Sequence, residues 1–335
     1  MVEQPPLVQA LLTPEAYPHR PEKIEMVQTQ MSFIFLTGNY VYKVKKPVDL
    51  GYLDYTTLEK RRHFCHQEVV LNRRLCPDVY LDVVPIIEHK GDISIEGQGE
   101  AIEYAVKMLQ LPQERTMDNL LKNNQVTEEM VQQVAQRLAS FHQKAETNER
   151  IASYGDLNIV ITNTEENFTQ TEKYIGITIS QEKYDTIKSY TGDFIKEYPT
   201  LFRQRAEGGR IRDCHGDLHA AHVCFTDGIC IFDCIEFNER FRYSDVANEV
   251  AFLAMDLDYH GHPDLSRQFV ESYIQASGDE EILRLLDFYK CYRGYVRGKV
   301  ESFKLDDPLI PAEEKARIKD VASRYFDLAG SYISR

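Results

Sequence analysis

The sequence predicts an α+β chain of two parts, a small β-rich N-terminal part and a larger, mainly helical C-terminal part. Three observations carry this expectation. At 335 residues the chain is too long for one small core and long enough for two parts that each bury an apolar interior. The first hundred residues read as strand, strand, helix and further strands, whereas helical periodicity dominates from Met117 onward. The change of character falls at residues 108–112, around Leu111-Pro112, and divides the chain into 1–108 and 109–335.

The elements follow in order. Two β-rich segments within 32–46 flank Thr37-Gly38-Asn39, the pattern of a hairpin. Residues 58–75 carry apolar side chains at helical spacing among charged ones, and 81–86, 92–95 and 101–108 read as strands. In the second part 117–121, 130–145 and 181–194 are helical in pattern, while the polar text of 146–170 reads as loop. Short β-like pieces within 211–225 and at 228–232 are followed by helical patterns at 246–256, 265–275, 280–303 and 312–334. There are no internal repeats and no low-complexity tract.

Composition narrows the function classes. A hydrophobic fraction of 43% and a charged fraction of 27% are ordinary for a soluble chain, and no apolar run approaches the roughly 18 residues of a membrane span. A formal net charge of −14 repels a phosphate backbone, so neither a nucleic acid nor a membrane is an expected partner. One locally basic stretch, Lys43, Lys45, Lys46, Lys60, Arg61, Arg62, Arg73 and Arg74, reads as the solvated edge of a strand and helix pair. Met1-Val2-Glu3-Gln4-Pro5-Pro6 has neither a basic start nor an apolar stretch, and the expected location is the cytoplasm. Seven cysteines without a Cys-x-x-Cys pair, odd in number, suit a reducing compartment better than a disulfide framework and match no zinc pattern.

Chemistry concentrates at one place. His215, Asp217, His219, His222 and Asp233 fall within nineteen positions, bordered by β-like runs. A loop carboxylate, a metal-binding side chain five positions later and an Asp just after the next strand suit phosphoryl transfer. That reaction needs one carboxylate to orient the attacking hydroxyl and further ligands to hold Mg²⁺ on the nucleotide phosphates. Asp217, His222 and Asp233 fill those roles in that order.

The segment resembles the catalytic loop of the aminoglycoside phosphotransferase-like kinases, His-Gly-Asp-x-x-x-x-Asn followed by a strand ending in Asp. The resemblance extends to Tyr-Val-Tyr-Lys-Val-Lys-Lys-Pro (40–47), Leu-Asn-Arg-Arg-Leu (71–75), Cys-His-Gly-Asp-Leu-His (214–219), Phe-Asp-Cys-Ile-Glu-Phe-Asn (232–238), Asp-Val-Ala-Asn-Glu (245–249) and Tyr-Arg-Gly-Tyr-Val-Arg-Gly-Lys-Val (292–300). It covers about residues 20–305 and points to a branch often fused to a C-terminal P-loop ATPase domain. The fold it implies is two-lobed and protein-kinase-like, with 1–108 as the nucleotide-covering sheet plus one helix and 109–335 as the lobe of the catalytic loop, the metal-binding Asp and the substrate helices.

The resemblance implies ATP and Mg²⁺ as cofactors and a small-molecule hydroxyl as acceptor. It makes Lys43 the strand lysine that holds the phosphates, with Lys45 on the same face as the alternative, and Glu68 its helix partner. Residues 28–32, ending at Ser32, become the turn over the phosphates, although the Gly-x-Gly-x-x-Gly pattern is absent. Residues 107–111, with Met108, become the hinge that meets the adenine, and Asp245 the buried carboxylate that braces the catalytic loop; its place at a helix start equally reads as an N-terminal carboxylate that meets the free amides of that helix. His222 departs from the usual Asn, and because imidazole suits Mn²⁺ better than Mg²⁺ it opens the way to Mn²⁺. His215 is expected to be structural. Tyr289, Arg293 and Arg297 share a helix face and are expected to pair with Asp256, Asp258 or Glu236 rather than with an anionic substrate. No Gly-x-x-x-x-Gly-Lys-[Ser/Thr] occurs, so the chain is expected to act alone or with a separate P-loop ATPase partner. Two other readings stand beside the kinase: a scaffold that binds nucleotide without transfer, and a zinc-type hydrolase, which leaves Lys43 and Glu68 without a role.

Overall fold

The structure, a computed structural model, describes residues 5–308 and 310–333; Ser334, the expected end of the last helix, and residues 1–4 lie outside the described residues. In chain order the elements begin α1 (Pro6–Leu11), β1 (Glu25–Gln28), β2 (Ser32–Leu36), β3 (Tyr40–Lys45), α2 (Leu58–Asn72), β4 (Tyr80–His89), β5 (Asp92–Ile95) and β6 (Glu100–Leu109). There follow α3 (Met117–Lys122), α4 (Glu128–Lys144), α5 (Glu149–Ala152), α6 (Leu157–Thr171), α7 (Gln181–Glu197), α8 (Pro199–Glu207) and β7 (Ile211–Asp213). The chain continues through β8 (Val223–Phe225), β9 (Ile229–Ile231), α9 (Glu239–Arg242), β10 (Tyr243–Asp245), α10 (Val246–Tyr259), α11 (Pro263–Ser277), α12 (Leu286–Phe303) and α13 (Ala312–Ser331). Two compact units result, one of 1–116 with 222–239 and one of 117–221 with 240–335.

The first unit is built on a six-stranded antiparallel sheet in the order β1-β2-β3-β6-β4-β5. Strand β3 shows how its sequence decides its two faces. Side chains alternate along a strand, so Tyr42 and Val44 enter one core with Val8, Leu11, Tyr17 and Phe35, while Lys43 and Lys45 leave on the other face. That second face meets α2, which starts at Thr57, whose hydroxyl accepts from the Lys60 amide at 3.3 Å. On α2 Arg61, Cys65, Glu68 and Asn72 recur at intervals of three and four and are all buried, so one face carries a polar stripe inward. Gly38, at φ +88°, makes the turn between β2 and β3 at the expected position.

Three sequence expectations change here. Strand β1 and helix α1 were not expected; a six-residue helix that buries only Val8 and Leu11 leaves no periodic window to read. The hairpin β8–β9 and the residues after it group with the first unit rather than with the helices that flank them in sequence. Cys76 and Cys230 are joined by a disulfide across 154 positions, whereas the spacing of the cysteines argued against disulfides; the remaining five are free and buried. The pairing is tertiary, since it needs β9 beside the end of α2.

In the second unit α10 is buried on nearly every side, from Val246 through Leu257, and α11, α12 and α13 pack against it. The polar text at 146–170 is not loop: α6 covers its last fourteen residues and Thr171 just beyond, burying Thr164, Asn167, Phe168 and Thr171 at helical spacing. Thr and Asn are weak helix formers, and packing rather than propensity holds this helix. Helices α12 and α13 approach closely because Gly294 and Gly298 lie on their contact: a Cβ at Gly294 would stand 3.2 Å from that of Ala329, and one at Gly298 would meet the Phe326 ring at 2.9 Å. Phe326 is wholly buried and has no room to turn aside. Gly298→Ala is therefore expected to lower stability by about 1–3 kcal/mol by overpacking, despite its better helix propensity; a urea unfolding midpoint equal to or above that of the wild type would contradict this packing.

Candidate active site

The residues singled out by sequence fall into two clusters, one in each unit. In the first, Lys43 Nζ lies 2.9 Å from Glu68 Oε1 and 2.6 Å from Asp233 Oδ1. Lys45 Nζ lies 2.6 Å from Glu68 Oε2 and also pairs with Glu236, which accepts from the Tyr55 hydroxyl at 2.6 Å. The one carboxylate of Glu68 thus holds both lysines of β3. The two differ in environment: the Lys45 side chain is 1% exposed and enclosed by its partners, whereas that of Lys43 is 12% exposed and reaches Asp233, itself 42% exposed.

Local folding explains the place of Asp233. It lies two positions beyond the end of β9 and sits at φ +63°, a left-handed conformation that Asp tolerates better than most residues. Its amide donates to the Tyr80 hydroxyl at 3.1 Å and the next amide, that of Cys234, to Asn72 Oδ1 at 2.8 Å. Asn72 and Tyr80 thereby fix the turn from α2 and β4. His222 Nε2 lies 3.6 Å from Asp233 Oδ2, the oxygen that does not face Lys43.

This cluster sets two ammonium groups against three carboxylates, Glu68, Glu236 and Asp233. Burial by itself would lower the Lys43 ammonium, but Asp233 and Glu68 outweigh it and raise it well above the ordinary lysine value. Burial likewise pushes Glu68 up, and the two lysines reverse this and bring it below the ordinary value. Of the three carboxylates, Asp233 is the most exposed. A nitrogen and a carboxylate oxygen 3.6 Å apart there, against about 3 Å between neighbouring ligand atoms at Mg²⁺ bond lengths, fit a divalent cation after a small side-chain movement. The mixed N and O donor set also suits Mn²⁺.

The second cluster is the loop 215–221 of the second unit. Its backbone is held by Glu249 of α10, whose Oε1 accepts from the amides of His215 at 2.8 Å and Gly216 at 2.6 Å. Glu249 Oε2 meets His142 Nε2 at 2.7 Å, and His142 Nδ1 meets the Tyr273 hydroxyl at 2.7 Å. Further along, Asp256 Oδ2 accepts from the Ala220 amide at 2.8 Å. Gly216 takes φ +89°, and the turn it makes leaves Asp217 on the loop, its side chain 35% exposed. His215 is buried, and its Nδ1 accepts from the Asp217 amide at 3.3 Å, a role in holding the turn.

The brace expected of Asp245 is therefore made by Glu249, one helical turn later. Asp245 takes the other role expected of it and caps α10, accepting from the Ala247 amide at 2.8 Å, and it pairs with the wholly buried Arg205 at 2.7 and 2.8 Å. Arg205 also binds Asp279. Sequence carries one signal for Glu249: with Asp256, seven positions on, it is one of two acidic residues buried in the otherwise largely apolar α10. Arg293 donates to Asn248 at 2.7 Å and lies over the Phe252 ring, Arg297 lies over Tyr325, and the partner of Asp258 is Lys290 at 2.9 Å. For Arg293 the expected carboxylate pairing is replaced by amide and aromatic contacts; for Arg297 burial disfavours the charge, and Tyr325 together with the expected Asp256 more than restores it, raising it above the ordinary value.

The expected turn over the phosphates lies between β1 and β2. Thr29 closes it, its hydroxyl accepting from the amides of Met31 at 3.3 Å and Ser32 at 3.0 Å, the work that glycines do elsewhere. Ser32 is fully buried and its hydroxyl has no partner among the described residues. Met108 lies near the end of β6, in register with Val41 of β3 and Tyr80 of β4.

These charge networks set stability. Lys45→Met leaves the buried Glu236 without its ammonium partner and Glu68 with Lys43 alone, and is expected to cost about 3–5 kcal/mol in chemical unfolding; an unchanged midpoint would contradict the network. Burial raises the Glu249 carboxyl, but the hydrogen bond from His142, the nearby histidines and the Gly216 amide lower it overall below its ordinary value of 4.5. A folded-state value below the unfolded one means that the contribution is complete above about pH 4.5 and is lost as pH falls through the folded value. Glu249→Gln is expected to be about 1–3 kcal/mol less stable at neutral pH and to lose less on acidification, as unfolding midpoints between pH 7 and pH 3 would show.

No protein-family model matches the chain. It is similar to the uncharacterized proteins Rv2004c and MT2060 of Mycobacterium tuberculosis and Mb2027c of Mycobacterium bovis, each 32% identical over 291 residues. The match takes in 86% of this chain and 57% of theirs, so the chain spans little more than half the length of these curated relatives. Among solved structures, a choline/ethanolamine kinase family protein from Mesorhizobium loti aligns over 97% of this chain and 99% of its own at TM-score 0.52 and 11% identity. The microcompartment-associated aminopropanol kinase aligns over 98% of both chains at TM-score 0.52 and 13% identity. A Ralstonia eutropha JMP134 protein assigned to the aminoglycoside phosphotransferases aligns over 93% of this chain and 92% of its own at TM-score 0.53 and 12% identity. The chain has the two-lobed α+β fold of the protein-kinase-like proteins, with a β-sheet N-lobe and a helical C-lobe.

Proposed function

We propose that the protein is an ATP-dependent phosphotransferase that moves the γ-phosphoryl group to a hydroxyl of a small molecule. The observation that carries this reading is the contact of Lys43 with both Glu68 and Asp233. A strand lysine fixed by a helix carboxylate and facing the Asp after a later strand is the arrangement that positions nucleotide phosphates in this fold. Lys45, enclosed by Glu68, Glu236 and Tyr55, serves as structural support instead.

In the proposed reaction Lys43 binds the phosphates, and Asp233 with His222 holds a divalent cation that neutralises charge on them. Residues 107–111 with Met108 meet the adenine, and the turn ending at Ser32 covers the phosphates. Asp217 accepts a hydrogen bond from the acceptor hydroxyl and orients it in line with the γ-phosphorus. A bond forms between the acceptor oxygen and phosphorus, the bond to the β,γ-bridging oxygen breaks with its electron pair leaving on ADP, and the hydroxyl proton passes to Asp217. Glu249 and His215 act by holding the loop that carries Asp217.

The structural relatives are named for choline or ethanolamine, aminopropanol and aminoglycosides, compounds that carry a hydroxyl on an amine-bearing skeleton. Amino alcohols and aminoglycosides are accordingly the first acceptors to screen. Asp217→Asn is expected to lower transfer by about 10²–10⁴-fold while ATP still stabilises the protein to heat. Asp233→Ala is expected to lose metal-dependent nucleotide binding, and His222→Asn to shift preference from Mn²⁺ toward Mg²⁺. Full transfer by Asp217→Asn, or stabilisation by Zn²⁺ alone and not by ATP with metal, would overturn the reading.

A further inference from the structure

A cavity of about 320 Å³ opens in the second unit between α4, α11 and β7. Among the residues that line it are Arg210, Arg212, Ser140 and Gln143 at its mouth and His142 and Tyr273 at its floor. In a chain with 53 acidic and 39 basic residues, none of its lining residues is acidic. Both arginines line it, Arg212 held by carbonyls and Arg210 in a long ion pair with Asp279. Arg212 donates to the carbonyls of Gly209, Gln143 and Ala145, which orient the guanidinium and do not neutralise it. Arg210 stands 3.7 Å from Asp279, beyond hydrogen-bond length, and that carboxylate is already bound by Arg205.

We infer that this cavity is an effector site for a small oxyanion-bearing metabolite, a phosphomonoester or a carboxylate, whose occupancy is felt by the loop 215–221. The volume lies at the lower end of the range for small-molecule sites, which suits a ligand of a few heavy atoms. Paired guanidinium groups bind phosphate and carboxylate through two parallel N–H bonds, and hydroxyl and amide side chains at the mouth take the remaining polar atoms.

The floor supplies the connection. Tyr273 and His142 face the cavity, and the imidazole with its proton on Nε2 accepts from the Tyr273 hydroxyl and donates to Glu249. Glu249 in turn receives the amides of His215 and Gly216, next to Asp217. Both nitrogens of His142 and both oxygens of Glu249 are engaged in this chain, so the nearby trio of His142, Cys214 and Glu249 serves as a polar relay and not as a metal centre. An anion that draws on Tyr273 or His142 alters the hydrogen bonding at Gly216 without touching the loop. That this changes catalysis rests on the proposed role of Asp217; the binding and its effect on Gly216 do not.

The test is a calorimetric titration of the full chain with glycerol phosphate and with succinate at constant ionic strength, together with the ¹⁵N–¹H resonance of Gly216. Binding by either anion is expected, with the tighter one naming the oxyanion, a loss of at least about tenfold in Arg210→Gln and no binding in Ser140→Trp, which fills the mouth. The Gly216 resonance is expected to move on titration in the wild type and to stay still in Tyr273→Phe, which retains binding. Binding by neither anion, equal affinity in all three proteins, or a Gly216 resonance that ignores the ligand would overturn the inference. Failure to phosphorylate any acceptor, with these binding results intact, would count against the phosphotransferase reading alone.

Discussion

Burying charge is costly, and the first unit is organised around meeting that cost at one place. An isolated ammonium or carboxylate away from water is unfavourable by several kcal/mol even after relaxation. Lys45 and Glu68 are almost completely enclosed and are tolerated because each has two opposite charges beside it, Glu68 and Glu236 for Lys45, Lys43 and Lys45 for Glu68. Glu236 and Tyr55 complete the shell around Lys45. The alternation of β3 places the lysines on the face toward α2, the polar stripe of α2 places Glu68 opposite them, and the Asn72 and Tyr80 contacts place Asp233 within reach of Lys43. Loss of any one of these leaves an unpaired charge.

The second unit solves a related problem with backbone groups. A tight loop carrying an exposed carboxylate has amides that no strand or helix can pair. Glu249 and Asp256, both on the buried helix α10, take three of them. The loop is thereby attached to the most enclosed helix of the unit, and Asp217 inherits that rigidity while its own side chain remains half-exposed. Preorganisation of this kind is what positioning a nucleophile requires.

Much of this was legible in the sequence because it depends on short-range pattern. The hairpin at Gly38, the α2 helix and the helices α4, α10 and α11 follow from periodicity, and the crowding of His215, Asp217, His222 and Asp233 marked a site before any fold was known. Helix α6 was missed because Thr and Asn side chains give no apolar stripe, and the Cys76–Cys230 disulfide because 154 residues separate its ends. The exchange of Asp245 for Glu249 as loop brace has the same origin: both lie at the start of one helix, and only its rotation about its axis decides which faces the loop.

The sequence by itself determined which residues have the chemistry for the site, two strand lysines, a helix glutamate and a loop of histidine and aspartate, since these depend on residue type and local spacing. The tertiary structure alone decided how the charges are shared: that Glu68 holds both lysines, that Glu236 encloses Lys45 and leaves Lys43 facing Asp233, and that His142 and Tyr273 stand behind Glu249. Those partners come from segments up to 191 positions apart, and pairing at that range is set by packing, about which local pattern is silent.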